Sequence, residues 1–220
     1  MNNPSSLVLT RVLLALSFGS LALACNTDPA KGKTQATVTS ATAPVVAAAP
    51  AAGALNYVFS NDGSTVQFVG AKVTAKHEGS FQAFRGTISV IDADPTKSTV
   101  NAEIDVASLS IEPAKLAGHL KTPDFFDAEK FPKVKFVSTA IKAGGEKDAT
   151  HTVSGNLELH GVSKGISFPA KIKIEAGEVS VDAEFAINRK DFSIVYPGMK
   201  DDLIKDEVLI KLALHAKKAP

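Results

Sequence analysis

The chain has no tryptophan and a single cysteine, Cys25, so no internal disulfide can hold it together. Any stable core must therefore come from aliphatic side chains and the twelve phenylalanines, within a hydrophobic content of 45% that is normal for a folded protein. An excess of charge is missing too. The 24 Lys+Arg residues face 23 Asp+Glu, which argues against the concentrated positive footprint that nucleic-acid binding requires. The familiar catalytic signatures are also absent. There is no Gly-x-Ser-x-Gly elbow, no His-Glu-x-x-His, no Cys-x-x-Cys and no Gly-rich phosphate loop leading into a helix. The five histidines, His77, His119, His151, His160 and His215, stand apart from one another in sequence. No catalytic residue, metal or cofactor is expected on these grounds.

The N-terminus is the first informative segment. Residues 7–24 form a nearly apolar run with Arg11 near its start and small residues Ala22 and Ala24 at its end. This is the layout of a secretory signal peptide, too short and poorly flanked for a stable membrane span. Two processing routes are open. Ala22-Leu23-Ala24 suits an ordinary signal peptidase, leaving a soluble periplasmic or secreted protein. Leu21-Ala22-Leu23-Ala24-Cys25 resembles a bacterial lipobox, in which Cys25 is lipidated and anchors the protein to a membrane. The only cysteine falling at this position favours lipidation, and Asn26 rather than Asp after it favours the outer membrane. Residues 26–54 are Ala-, Thr- and Pro-rich, with no aromatic residue and no usable periodicity, so 25–54 is expected to be a disordered tether. The folded domain is expected at 55–220.

From Tyr57 onward apolar residues alternate with polar ones, the signature of half-buried strands. Val153, Gly155, Leu157 and Leu159 alternate with Ser154, Asn156 and Glu158. Similar rows run through Ile166, Phe168, Ala170, Ile172 and Ile174, through Val179 to Ile187, and through Val208 to Leu214. Further strands are expected at 57–59, 64–74, 86–91, 100–106 and 133–140, with a bulge near Gly70 where the phase changes. Eight or nine such strands joined by short turns make an all-β antiparallel sheet with one apolar face. Closure into a barrel hides that face and the edges, and a two-sheet sandwich satisfies the same pattern. Residues 112–120 read as a short helix with Pro113 in its first turn, and Thr122-Pro123 reads as the start of a second. This helical segment is expected to cover an opening or edge of the sheet.

The stretch Gly118-His119-Leu120-Lys121-Thr122-Pro123-Asp124-Phe125-Phe126-Asp127, continuing through Ala128 to Phe136, resembles the hallmark segment of the YceI-like polyisoprenoid-binding proteins. Residues 153–164 are similar to a second hallmark, residues 185–192 to a third, and residues 79–86 to an early family segment. The likeness runs in order from about residue 56 to residue 216. It implies a lipocalin-like antiparallel barrel of about eight strands with short helical elements, exported to the periplasm. It further implies non-catalytic binding of a long isoprenoid or similar amphiphile inside the barrel. Tyr57 stands where members often have Trp, and the 72–78 stretch is more polar than in many members.

An eight-stranded barrel is about wide enough either to fill itself with side chains or to hold one small ligand. Small inward residues such as Ala102, Gly155, Ala170 and Ala183 favour space for a ligand; inward Phe68, Phe136, Phe168 and Phe185 can fill it instead. The candidate apolar contacts are therefore Phe68, Phe136, Gly155, Leu157, Phe168, Ala183 and Phe185, with Phe125 and Phe126 from the covering segment. His77 and Arg189 are candidate contacts to a polar head group, weighed against a solvated turn for His77 and a local Arg189–Asp191 ion pair. The rival to a lipid-binding module is a structural or interaction domain with a filled core.

Overall fold

The structure, a computed structural model, describes residues 28–42 and 53–220. The expected signal peptide, Cys25 and residues 43–52 of the expected tether lie outside the described residues. Fourteen strands occur among those described: β1 (Thr37–Ser40), β2 (Leu55–Ser60), β3 (Thr65–Ala71), β4 (Lys76–Phe81), β5 (Phe84–Ile91), β6 (Asp94–Asp105), β7 (Leu109–Ile111), β8 (Lys133–Ala143), β9 (His151–Leu159), β10 (Val162–Glu175), β11 (Glu178–Asn188), β12 (Gly198–Met199), β13 (Asp202–Leu203) and β14 (Glu207–Lys218). The only α-helix among these residues is α1 (Ala114–Leu120).

Eight strands close a ring. Strand β2 pairs with β5, followed by β6, β8, β9, β10, β11 and β14, and β14 returns to β2, every pair being antiparallel. Since β14 bonds to both β11 and β2, the sheet has closed on itself, and this excludes the sandwich. The turns suit the twist of the strands. His160 and Gly161, joining β9 to β10, both have positive φ (52° and 72°), as a two-residue type I′ hairpin requires. At one end the wall is carried further by β3, which pairs with β14 and β4, and by β7 on β4. The β11–β14 connection reaches the same end, where Lys205 N donates to Ala71 O at 2.8 Å. Helix α1 packs beside β7, so this end, the mouth, carries the irregular segments.

The structure corrects four expectations. Strand β4 is not anticipated, because Lys76-His77-Glu78-Gly79-Ser80 has no apolar alternation. The bulge near Gly70 is absent, and β3 keeps an unbroken register with β4 from Gln67↔Ser80 to Ala71↔Lys76. Phase is lost there because Val69, facing out, is buried in a row with Leu209 and Ala186 across three strands. The second helix does not form. The Thr122 hydroxyl donates back to His119 O at 2.8 Å instead of capping a new helix, and Phe125 N and Asp127 N both donate to Thr122 O in successive turns. Finally, the expected tether contains an ordered arm. Residues 37–40 form β1 on β10, with Thr37↔Ser167 through Ser40↔Lys164, and Ala36 is buried. Alanine, valine and threonine are short, but a strand needs little side-chain burial when its backbone finds a ready ladder.

A hollow barrel with a basic mouth as candidate functional site

Inward rows from the eight ring strands, with Phe125 and Phe126 from the segment after α1, surround a cavity of about 910 Å³. This volume lies near the top of the range for small-molecule pockets. It supports the hollow reading of the barrel, because a barrel filled by its own side chains leaves no such space. Exposure of the lining agrees. Ala102, Phe136, Leu157, Ile210 and Leu212 point inward on ring strands yet are only half-buried, because part of each faces the void.

Two aromatic groups stand along the cavity. Phe168 stacks on Phe185 with ring centres 4.2 Å apart, and Phe136 leans on Phe168 at 5.8 Å. Nearer the mouth, Phe68, Phe81 and Phe126 meet pairwise at 5.8 to 6.3 Å. The cover is held by a third group, in which the His119 ring meets Phe125 at 5.1 Å and Tyr196 at 5.3 Å. His119 Nε2 lies 3.0 Å from Asp124 Oδ2, so the imidazole fixes both ends of the covering segment.

Among the expected contacts, Phe68, Phe125, Phe126, Phe136, Leu157, Phe168, Phe185, His77 and Arg189 all line the cavity. Gly155 and Ala183 do not. A Cβ on Gly155 would come within 2.4 Å of the Phe136 ring and 2.6 Å of Val137 O, so its smallness makes room for a neighbouring ring. Ala183 is in register with Leu212, which does reach the cavity, while its own methyl stays in the packed wall. Lining residues that the sequence reading missed include Phe81, Phe84, Lys72, Lys115 and Ile204. Phe81 and Phe84 stand within the 79–86 segment and were available as a signal; Ile204 is placed only by the return of a loop.

No Asp or Glu lines the cavity among the described residues, whereas Lys72, His77, Lys115, His119 and Arg189 do at the mouth; Arg85 lines it too, its side chain turned outward to Glu103. Three of the mouth residues meet a carboxylate: Lys72 with Asp202, His119 with Asp124 and Arg189 with Asp206. Lys72 is ion-paired with Asp202, and that hydrogen bond, with those from Thr74, holds the Asp202 carboxyl below its usual range against a smaller opposing effect of desolvation. Arg189, 5% exposed, donates from Nη1 to Ile194 O (2.6 Å), from Nε to Lys205 O (3.1 Å), and from Nη2 to Ile204 O (3.4 Å) and Asp206 Oδ1 (3.2 Å). Burial pulls its guanidinium below the usual value, and Asp206 opposes that shift. The expected partner Asp191 is replaced by Asp206, because the connection from β11 to β14 folds back over the guanidinium. His77 Nδ1 lies 3.2 Å from Glu112 O, joining β4 to the residue before Pro113 rather than standing in a free turn. Lys115, exposed on α1, has no carboxylate partner among the described residues.

Among the described residues no buried side-chain nitrogen or oxygen lacks a hydrogen-bond partner, and no three His, Cys, Asp or Glu converge as a metal site. Inside the barrel the lining therefore offers shape and apolar contact, and, Arg85 apart, its charged side chains stand at the mouth.

A closed antiparallel barrel with a covered, apolar interior defines a lipocalin-like protein with a hollow core. Residues 57–216 match the YceI-like domain, and the chain belongs to that family. A UPF0312 protein of Pseudomonas savastanoi pv. phaseolicola is 36% identical over 155 residues, spanning 66% of this chain and 79% of the relative. One from Pseudomonas putida (strain W619) is 34% identical over 139 residues, 60% of this chain and 71% of its own. Among solved structures, Burkholderia cenocepacia BcnA superposes with a TM-score of 0.61 at 26% identity, covering 70% of this chain and 96% of BcnA. A polyisoprenoid binding domain from Saccharophagus degradans, implicated in plant cell wall breakdown, gives 0.58 at 17% identity, covering 75% and 99%. That last likeness speaks for the fold.

Proposed function

We propose that this protein holds a long-chain isoprenoid or similar amphiphile, with the tail in the barrel and the polar end at the mouth, and performs no catalysis on it. The observation that carries the reading is the hollow interior of about 910 Å³, apolar along its length and basic only at its opening. The polyisoprenoid-binding neighbour from Saccharophagus degradans supports the same ligand class. Burying an apolar tail from water contributes roughly 25 cal/mol per Å². A membrane lipid starts in hydrocarbon, however, so its transfer into the barrel is nearly balanced, and a carrier, a sensor or a reservoir all suit that balance. The direct test is intact-complex mass spectrometry of the protein from its native membrane, followed by lipid extraction. Recovery of a stoichiometric amphiphile is expected; protein that is consistently empty sinks the reading.

The mouth makes a sharper prediction. With tail-matched hexadecanoic acid, hexadecanol and hexadecylamine, the acid should bind most tightly and the amine least. Lys115→Met should weaken the acid about tenfold, since a charge-assisted hydrogen bond contributes about 1.4 kcal/mol or more, and leave the alcohol unchanged. Equal loss for acid and alcohol would show that Lys115 acts through packing alone.

The same proposal makes residues 1–24 a signal peptide and Cys25 a lipid anchor in the periplasm. The described arm begins at Asp28, three residues after Cys25, and three residues can reach at most about 10 Å. A lipid on Cys25 therefore holds the barrel close to its membrane, whereas a 30-residue free tether would let it work well clear. Labelled fatty acid should enter the wild-type protein and not Cys25→Ser, and the variant should move to the soluble fraction. Equal labelling of both removes the anchor from the proposal.

A further inference from the structure

The arm occupies an unusual place. Strands β10 and β11 pair with each other only between Lys171–Glu175 and Glu178–Asp182. Beyond that ladder they separate, and the arm fills the gap. On one side β1 pairs with β10; on the other, Ala36 N donates to Ala186 O (2.8 Å) and Ala186 N donates to Thr34 O (2.9 Å) on β11. A gap that accepts one extra strand is two strand spacings wide, about 9.5 Å. Its rims are Ile166 and Phe168 on β10 and Phe185 and Ile187 on β11, and all four line the cavity. With the arm removed, the barrel has a side opening toward its interior between Ile166 and Ile187, bounded on its ladder side by the stacked Phe168–Phe185 pair and edged by unpaired backbone groups that favour a strand as occupant.

Few apolar side chains anchor the arm to the core. Its core-facing side chains are only Ala36 and Val38, where β2 contributes Tyr57 and Phe59. Its outer contacts are solvent-exposed: the Lys33–Glu184 ion pair, Thr34 Oγ1 to Glu146 at 3.2 Å, Lys147 Nζ to Gly32 O at 3.0 Å, and, past β1, Thr42 N to Asn156 Oδ1 at 3.1 Å with Asn156 Nδ2 to Thr42 O at 2.8 Å. Exposed pairs of this kind add little. The slot is nonetheless shaped for the arm. A Cβ on Gly165 would lie 2.5 Å from Thr39 Oγ1 and 2.9 Å from Ser40 O, so glycine there permits the close approach. The arm itself lies outside the family domain, which matches residues 57–216, whereas the slot on β10 and β11 lies within it.

We infer that residues 34–40 are a removable wall strand, and that their departure opens a side gate through which an apolar tail enters and leaves the barrel. A long tail then moves sideways between β10 and β11 and need not thread lengthwise past the covered mouth. This inference rests on the reading of the cavity as a lipid site.

The test locks the arm in the full-length chain. Thr37 and Ser167 are facing partners with outward side chains, and facing residues on antiparallel strands lie within disulfide reach. Thr37→Cys and Ser167→Cys are combined with Cys25→Ser, and release of cis-parinaric acid is followed by fluorescence. The oxidised protein should release the probe at least tenfold more slowly than the reduced protein, with the same equilibrium affinity. Gly165→Ala should release it faster than wild type. Hydrogen exchange gives a readout independent of ligand: the Ala36 amide should exchange well before amides of the β11–β14 ladder. Equal release from oxidised and reduced protein, or an Ala36 amide as protected as that ladder, overturns the gate and leaves the lipid cavity standing. If neither form takes up the probe, the cavity reading falls and the gate with it.

Discussion

Filling the barrel from within is expected to abolish lipid retention without unfolding the protein. Ala102, Phe136 and Leu157 form one belt across β6, β8 and β9, in register as Ala102↔Phe136 and Phe136↔Leu157, and all three line the cavity. Ala102→Phe combined with Leu157→Phe sets three phenyl rings side by side and narrows the space a tail needs. Because the new rings enter a void, the unfolding free energy should change by less than about 1 kcal/mol, whereas overpacking a full core costs about 1–3 kcal/mol. Retention of a C16 fatty acid should fall at least tenfold. Gly155→Ala, on the same face of β9, should do the reverse. The Phe136 ring can swing into the cavity, but Val137 O is backbone and cannot yield, so a cost of about 1–3 kcal/mol is expected with the belt still open. Thermal melts and probe titrations on both proteins separate the outcomes. A large loss of stability in the double variant would mean that the interior has no room to spare.

That pair of variants also marks where sequence reading succeeds and where it stops. The ring strands were readable because each sets one apolar face against a common interior; β9, with Val153, Leu157 and Leu159 inward, is the clearest. Hollowness was not readable in the same way. A small inward residue leaves space either for a ligand or for a neighbour's ring, and at Gly155 the neighbour takes it. Gly79 in β4 repeats the point, since a Cβ there would lie 2.4 Å from the Phe68 ring, and a glycine among polar residues hides the strand. The arm was invisible for another reason. Its order depends on β10 and β11 parting to receive it, which is a property of the closed barrel and not of residues 34–40. The basic mouth was half legible: His77 and Arg189 stood out, while Lys72 and Lys115 looked like ordinary surface lysines.

Arg189→Met is expected to be among the most destabilising single substitutions in the mouth. Among the described residues the guanidinium is the only donor to the carbonyl of Ile194, and it also reaches the carbonyl of Lys205, the more distant one of Ile204 and the carboxylate of Asp206. Methionine keeps the bulk and removes every donor, leaving carbonyls in a site that water reaches poorly. Each unsatisfied buried group costs about 1–3 kcal/mol, so a total near 3–5 kcal/mol is expected, or roughly 10 °C in melting temperature for a domain of this size. Lysine should not rescue it, because a single ammonium cannot span partners arranged around a planar fork. Asp206 is less exposed to the loss, since Lys190 Nζ also donates to it at 2.8 Å. Asp191, two residues away in sequence and exposed, should be replaceable by alanine within about 0.5 kcal/mol. If Asp191→Ala and Arg189→Met cost the same, the pairing has been misassigned to Asp206. If Arg189→Met is harmless, the arginine is held for the ligand's polar end and the loop between β11 and β14 stands without it.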